Sequence, residues 1–129
     1  MVLADKSVWI NFFHHPDSTE KRAVDALIDA DSIAMTGVVL TEILQGCRSK
    51  KDFVNVRELL LALPWIETTQ PVWIKAGEIS SVLLRRGVTL PIPDLIVAAT
   101  AMEHSCSVFS LDKHFDKIPG LKRFHPSLP

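Results

Sequence analysis

Short apolar runs alternate with segments of helical periodicity along this 129-residue chain. The runs at residues 2–5, 33–35, 65–67 and 108–112 have the length of buried strands, and the segments between them repeat apolar residues three and four positions apart. Such alternation is typical of a mainly parallel sheet covered by helices on both faces. We therefore predict a three-layer α/β/α fold with a central sheet of four to five strands, in which residues 1–129 form a single domain.

Capping residues and prolines predict where the helices begin, and a weaker apolar pair predicts the last strand. Ser, Thr and Asp favour the position before a helix, and Pro favours its first turn. The predicted helix starts are Asp17 or Ser18, Thr36, Ser49 and Pro71, followed by an apolar helix over residues 95–103. A fifth strand is expected at Arg123 and Phe124.

Four acidic residues lie where such a fold gathers side chains at one edge of its sheet. Asp5 and Asp112 each close an apolar run and are interpreted as the last residue of a strand, Asp94 falls in the first turn of a helix, and Glu42 lies in an apolar helical segment. Ligands of open α/β sheets bind at the carboxyl ends of the strands. Convergent carboxylates suit Mg²⁺ or Mn²⁺, which prefer oxygen ligands. The pattern predicts metal-dependent hydrolysis of a phosphodiester bond.

Each acid taken alone also has a structural interpretation. Asp94 can serve as a helix cap or as a partner of the helix dipole. Glu42 can face solvent from its helix. A carboxylate at the end of a central strand seldom helps folding, so Asp5 and Asp112 favour a functional interpretation more strongly. The joint occurrence of the four acids favours a metal site.

Composition limits the classes of function. The net charge of −1 offers no bulk attraction for nucleic acid, so RNA contacts must come from local basic clusters. Cys47 and Cys106 lack C-x-x-C spacing, which supports neither a disulfide framework nor a zinc site. No apolar stretch approaches the roughly 20 residues of a membrane span. Asp5 and Lys6 interrupt the first apolar run too early for a signal peptide, so we expect a cytoplasmic protein without a membrane anchor.

Four segments of the chain together resemble PIN-domain ribonucleases, and most of all the VapC toxins of bacterial toxin–antitoxin pairs. The segments are DKSVWI at residues 5–10, TEILQG at 41–46, DLIVAATA at 94–101 and SLDKHF at 110–115. The resemblance implies a parallel sheet between helices, a homodimer, and RNA as substrate, most often tRNA or a ribosomal RNA loop. It also implies a small VapB-like antitoxin that fills the acidic groove. The acids that it implies as ligands of Mg²⁺ or Mn²⁺ are Asp5, Glu42, Asp94 and Asp112.

Supporting roles follow from the same resemblance. Ser7 and Ser110 match hydroxyl residues beside the site and are expected to orient its carboxylates. Each can equally be a hydroxyl that satisfies a turn. Asp116 lies one helical turn beyond Asp112 and is a candidate auxiliary acid, with a cap or a solvated side chain as the alternative.

Lys6 departs from the family pattern, which usually has Thr or Ser after the first acid. Its ammonium group can hold Asp5 when metal is absent, compete with the ion, or contact the scissile phosphate. Interpreted as a strand residue, Lys6 can also point away from the site. Lys113 and His114, beside the last acid, are further candidates for RNA contact, with a plain surface role as the alternative for His114.

Two other classes of function compete with a metal-dependent endoribonuclease toxin. One is a catalytically silent PIN-like module that binds RNA or a protein partner, which Lys6 makes more credible. The other is a phosphotransfer enzyme or receiver on a related sheet. The phosphatase type with an Asp nucleophile needs a second Asp two residues after the first, where Ser7 stands. The endoribonuclease toxin is the leading prediction.

Overall fold

The computed structural model describes residues 1–127, and over this range the chain forms four strands, six α-helices and one 3₁₀ helix. The strands are β1 (Val2–Ala4), β2 (Ile33–Thr36), β3 (Trp65–Ile66) and β4 (Ser107–Phe109). The α-helices are α1 (Lys6–His14), α2 (Thr19–Asp29), α3 (Gly37–Gln45), α4 (Lys50–Leu61), α5 (Gln70–Arg85) and α6 (Ile92–Glu103). The 3₁₀ helix is Lys113–Lys117.

The strands pair in parallel in the order β3-β2-β1-β4. Val2 of β1 pairs with Ile33 on one side and with Ser107 on the other, so β1 lies inside the sheet. Every residue of β1 and β2 is buried. Because neighbouring strand residues point to opposite faces, helices must cover both faces of the sheet. The parallel arrangement brings the carboxyl ends of all these strands to the same edge.

The predicted last strand at Arg123 and Phe124 is reduced to a single parallel bridge between Val108 and Arg123. The N–H of Phe124 donates to the carbonyl of Val108 at 2.8 Å. The next backbone N–H that this segment would donate to β4 falls at Pro126, which has none. The carbonyl of Ser110 instead accepts from Arg123 Nη2 at 3.0 Å. The pairing therefore stops after one residue.

Helix α1 is absent from the sequence prediction, which placed Asp5 at the end of a strand. In the structure β1 ends at Ala4, and Asp5 is the N-cap of α1, where its side chain accepts the N–H of Ser7 at 3.0 Å. The helix buries Trp9, whose ring meets Phe12 edge to face with centroids 5.2 Å apart. The strand thus passes into a helix at one residue, so Lys6 is helical and not part of a strand.

Most of the predicted helix starts are confirmed. Ser18 and Ser49 each accept, through the side chain, the backbone N–H three residues further on at 3.0 Å. Thr36 precedes α3, but its hydroxyl donates to the carbonyl of Ile66 at 2.8 Å and so ties β2 to β3. Helix α6 begins at Ile92, three residues before the predicted start.

Asp112 does not close β4, contrary to the sequence prediction. The strand ends at Phe109, and Asp112 is the N-cap of the 3₁₀ helix, where it accepts the N–H of His114 at 2.9 Å. The reason is local, because the hydroxyl of Ser110 accepts the N–H of Asp112 at 2.9 Å. Such side-chain bonds to the backbone compete with a ladder and turn the chain.

The two cysteines of the chain differ in burial. Cys47 is half-buried and Cys106 is buried, and both are free thiols. Burial raises the pKa of the Cys106 thiol, with the N-terminal ammonium opposing the shift. Within residues 1–127, none of the helices combines the length and the apolar character needed to cross a membrane.

Candidate metal centre

The carboxyl edge of the sheet gathers acidic side chains from separate parts of the chain. Asp5 directly follows β1, and Asp112 lies in the segment after β4. Asp94 comes from the first turn of α6, and Glu42 from the middle of α3. The parallel topology explains this convergence, because each of the central strands delivers its following residues to the same edge.

Asp5 is buried, with 5% of its surface exposed, and both of its carboxylate oxygens are held. Oδ1 accepts the backbone N–H of Ser7 at 3.0 Å and the Ser7 hydroxyl at 2.5 Å. Oδ2 accepts the hydroxyl of Ser110 at 2.6 Å. Hydrogen bonds to an ionised acceptor are the strong ones, and they offset part of the cost of burying the charge. Asp5 is therefore held in place by donors of the protein itself.

Ser7 and Ser110 also connect the start of α1 to the segment after β4. The Ser7 hydroxyl accepts the N–H of Leu111 at 3.0 Å, and the Ser110 hydroxyl accepts the N–H of Asp112 at 2.9 Å. The two hydroxyl oxygens lie 3.4 Å apart. Both serines contact the first acid, as the sequence led us to expect. Their role in orienting it for a metal stays a prediction.

Asp94, Asp112 and His114 form a close group, in which one potential ligand atom from each lies within 4.8 Å of the others. His114 Nδ1 lies 3.1 Å from Asp112 Oδ2 and 3.4 Å from Asp94 Oδ2. Burial raises the pKa of Asp94. The hydrogen bond from His114 opposes that shift, while the carboxylates of Asp112 and Asp5 add to it. Sequence reasoning predicted only an RNA contact for His114, and the Asp-x-His spacing of residues 112–114 was the signal that could have placed it in this group.

Lys6 faces the acidic edge and contacts Glu42. Its Nζ lies 3.5 Å from Glu42 Oε2, with 52% of the Lys6 side chain and 16% of the Glu42 side chain exposed. The interpretation of Lys6 as a strand residue pointing away from the site is wrong, because this residue occupies the first turn of α1. Glu42 is therefore paired with a cation and lies outside the close group of Asp94 and Asp112.

Asp116 and Lys113 lie at the margin of the site. The Asp116 carboxylate is 62% exposed and accepts from Arg123 Nη1 at 2.6 Å. Arg123 also donates to the carbonyl of Ser110 at 3.0 Å, so its guanidinium links Asp116 to the segment after β4. Lys113 is exposed at the start of the 3₁₀ helix, next to Asp112. Sequence reasoning did not identify the bridging position of Arg123.

The donor set fits a divalent cation. Carboxylate oxygens are the ligands that hard divalent ions prefer, and the one imidazole among them is compatible with Mn²⁺ as well. Burial is the main cause that raises the pKa of Asp94, and the nearby carboxylates of Asp112 and Asp5 raise it further, as expected for like charges gathered at one edge. A bound cation would relieve this repulsion. The fold and this site define a class of α/β proteins with an acidic centre suited to phosphodiester hydrolysis.

The chain belongs to the PIN domain family, which matches residues 2–121. Ribonuclease VapC51 of Mycobacterium tuberculosis is 31% identical over 102 residues, which cover 78% of this chain and 74% of that protein. Ribonuclease VapC21 of the same species is 29% identical over 106 residues, covering 80% and 77%. The predicted resemblance to PIN-domain ribonucleases of the VapC type is confirmed.

Solved structures confirm the three-layer α/β/α fold. The VapBC2 complex of Rickettsia felis, bound to a DNA fragment from its promoter, contains a chain with a TM-score of 0.83 and 18% identity. The alignment covers 96% of this chain and 98% of that one. VapC20 of M. tuberculosis, described as a toxin that cleaves the sarcin–ricin loop, aligns with a TM-score of 0.72 and 15% identity over 98% of this chain and 100% of that one.

Proposed function

We propose that this VapC-type PIN-domain ribonuclease is a toxin that hydrolyses RNA in a reaction dependent on Mg²⁺ or Mn²⁺, and that a small VapB-like antitoxin silences it. The observation that supports this most strongly is the crowding of Asp94, Asp112 and Asp5 at the carboxyl edge of a parallel sheet. A fold gains nothing from placing repelling carboxylates together, so the arrangement is best explained by a cation that binds among them.

The four predicted acids would hold the ion, namely Asp5, Glu42, Asp94 and Asp112. When bound, a divalent ion supplies Lewis-acid stabilisation of the charge that develops on the phosphodiester. Asp5 is already fixed by hydrogen bonds from Ser7 and Ser110. One carboxylate oxygen of Glu42 lies 3.5 Å from the Lys6 ammonium group, so Lys6 and the ion would compete for this acid.

Local cations would draw RNA to this acidic edge. Lys6 and Lys113 are both exposed beside acids of the site. The Lys6 ammonium group, once released from Glu42, would be free to contact a backbone phosphate. Phosphate contacts position RNA but do not read its bases, so these lysines favour affinity over sequence preference. We propose a structured substrate such as tRNA or a ribosomal RNA loop, and the cleavage of the sarcin–ricin loop by the structurally similar VapC20 supports the second of these.

A protein partner is supported by the structural relatives and by exposed apolar surface. The Rickettsia felis relative was solved as a VapBC complex. In this chain Trp73, Ile74 and Leu84 of α5 and Ile92 of α6 are each more than half exposed, and exposed apolar clusters mark protein interfaces. We propose that this α5–α6 surface joins two copies in a homodimer, while the antitoxin covers the acidic groove. Sedimentation equilibrium of the partner-free protein tests the homodimer. A monomeric mass at all concentrations would contradict it.

The cleavage assay tests the nuclease directly. The purified, partner-free protein is expected to cleave tRNA or total cellular RNA with Mg²⁺ or Mn²⁺ and to stop when chelator is added. Asp5→Asn and Asp94→Asn keep the side-chain shape but remove a charge, so each is expected to lower the cleavage rate by about 100-fold or more. Asp17→Asn, at an exposed site away from the cluster, is the matched control and should retain full activity.

Two outcomes would contradict parts of this proposal. Cleavage that persists in excess chelator would eliminate the metal dependence. Full activity in both Asp5→Asn and Asp94→Asn would show that these acids only cap their helices. Circular dichroism of every variant would confirm that any loss of activity is not a loss of fold.

The contact between Lys6 and Glu42 favours a second candidate, a catalytically silent module that binds RNA or a protein. In that case the Lys6 ammonium group would stay at Glu42 and supply the positive charge that a metal ion would supply in an active enzyme. Such a protein would bind RNA without cleaving any cellular RNA in the presence of either metal. RNA binding measured beside cleavage distinguishes the two functions.

A further inference from the structure

His114 places a nitrogen atom among the acids of the site. Its Nδ1 lies 3.1 Å from Asp112 Oδ2 and 3.4 Å from Asp94 Oδ2. One potential ligand atom from each of these residues lies within 4.8 Å of the others, so a single ion can be reached by all three. Glu42, which was predicted from sequence as a ligand, is not part of this close group and is paired with Lys6. The structure therefore offers a mixed nitrogen and oxygen donor set.

The backbone holds the imidazole in this position. The N–H of His114 donates to Asp112 Oδ1 at 2.9 Å, and Asp112 is the N-cap of the 3₁₀ helix that contains His114. The same carboxylate thus uses one oxygen to fix the backbone of His114 and presents the other oxygen beside the ring. Such preorganisation keeps a ligand in place without losing further conformational freedom when the ion binds.

We propose that His114 is a ligand of the ion bound by Asp94 and Asp112, and that its nitrogen makes this site prefer Mn²⁺ to Mg²⁺. This inference rests on the metal dependence proposed above. Mg²⁺ strongly prefers oxygen ligands, whereas carboxylate sites that include His are well suited to manganese. In the ion-bound state the neutral imidazole offers its Nδ1 lone pair to the metal, and any proton on that atom is released to solvent.

A different role for His114 makes the opposite prediction. If the ring acted only as a cation that offsets the charges of Asp94 and Asp112, its removal would leave a more negative site. Both ions would then bind as tightly as before or more tightly. If His114 is a ligand, its removal weakens Mn²⁺ binding and leaves Mg²⁺ binding nearly unchanged.

Calorimetric titration of the full chain with MnCl₂ and with MgCl₂ separates these roles. His114→Asn and His114→Gln are expected to raise the Kd for Mn²⁺ by at least about 10-fold, the lower end of losses seen when metal-site residues are removed. The Kd for Mg²⁺ should change much less. His125→Asn, at an exposed position outside the site, is the matched control and should leave both constants unchanged.

Pulsed electron paramagnetic resonance of bound Mn²⁺ gives a direct second measurement. With ¹⁵N-histidine incorporated, the wild-type protein should show a nitrogen coupling to Mn²⁺ that is absent in His114→Asn. Stoichiometric Mn²⁺ binding without nitrogen coupling would overturn the assignment of His114 but leave the proposed nuclease intact. Tighter binding of both ions by the variants would overturn it as well. No Mn²⁺ binding by any of the proteins would overturn this inference together with the proposed metal dependence.

Discussion

Ser110→Ala tests how the fold holds the first acid of the site. Ser110 is 8% exposed, and its hydroxyl donates to Asp5 Oδ2 at 2.6 Å while accepting the N–H of Asp112 at 2.9 Å. The substitution removes one hydroxyl and changes the shape of the site very little. It leaves one oxygen of the buried Asp5 carboxylate without its donor and one backbone N–H without its acceptor.

The expected loss of stability follows from these two bonds. A hydrogen bond to a charged group contributes about 1.5–3 kcal/mol, and the loss of the neutral bond to Asp112 adds about 1 kcal/mol at most, since that N–H lies at a half-exposed residue. We expect the free energy of unfolding to fall by about 2–3 kcal/mol in the metal-free protein. Metal affinity should also fall by about 10- to 100-fold, because Asp5 loses the group that orients it.

Urea unfolding at pH 7 in the presence of chelator, followed by circular dichroism, measures the first effect. The matched control is Ser81→Ala, which removes an exposed hydroxyl that accepts from Arg85 on the surface of α5 at 3.1 Å. The free energy of unfolding of Ser81→Ala should stay within about 0.5 kcal/mol of the wild-type value, as is usual for substitutions at exposed sites. If Ser110→Ala lowered the free energy of unfolding no more than Ser81→Ala does, the hydrogen bond from Ser110 to Asp5 would not contribute to stability as we expect.

Two further predictions concern charge at the acidic edge. Burial raises the pKa of Asp94 above its ordinary value of 3.8, so the native state keeps a proton that the unfolded state has released. The metal-free protein should therefore lose stability as pH rises from that value through the folded pKa. Asp94→Asn should abolish this loss. Melting curves in chelator at pH 4 and pH 7 test this, and an equal change in melting temperature for the wild type and the variant would contradict the reasoning. Lys6→Thr removes the ammonium group from Glu42 and should tighten Mg²⁺ binding by roughly 2- to 5-fold, because a half-exposed ion pair contributes at most about 1 kcal/mol. Calorimetry that showed unchanged or weaker binding would contradict competition between Lys6 and the ion.

The alternation of apolar runs and helical periods predicted the four strands and helices α2 to α6 along the chain, but it missed α1. The buried residues Val8, Trp9 and Phe12 have helical spacing, yet the segment follows β1 with only Asp5 between them. Short adjoining apolar runs do not distinguish strand from helix by periodicity alone. The usable signal was Asp5 itself, since Asp is a favoured N-cap.

The convergence of the acids was predictable because it follows from topology, whereas the contacts of their neighbours were not. Parallel strands bring Asp5 and the residues after β4 to one edge whatever the details of the turns. The contact of Lys6 with Glu42 depends on α1 beginning at Lys6, and the position of His114 depends on the 3₁₀ turn capped by Asp112. Both are consequences of local turns that an apolar pattern does not record.

The acids of this site differ in how their charge is compensated when no cation is bound. Asp5 has the hydroxyls of two serines, Glu42 has the ammonium group of Lys6, and Asp112 has the backbone N–H of His114. Within residues 1–127, Asp94 has only its 3.4 Å contact with the His114 ring, and burial raises its pKa. A cation that binds at this edge therefore relieves more unfavourable charge at Asp94 than at the other acids, because theirs is already offset by neighbouring groups. For this reason the metal-dependent gain in stability should depend more on Asp94 than on Glu42, whose charge is already offset by the Lys6 ammonium group.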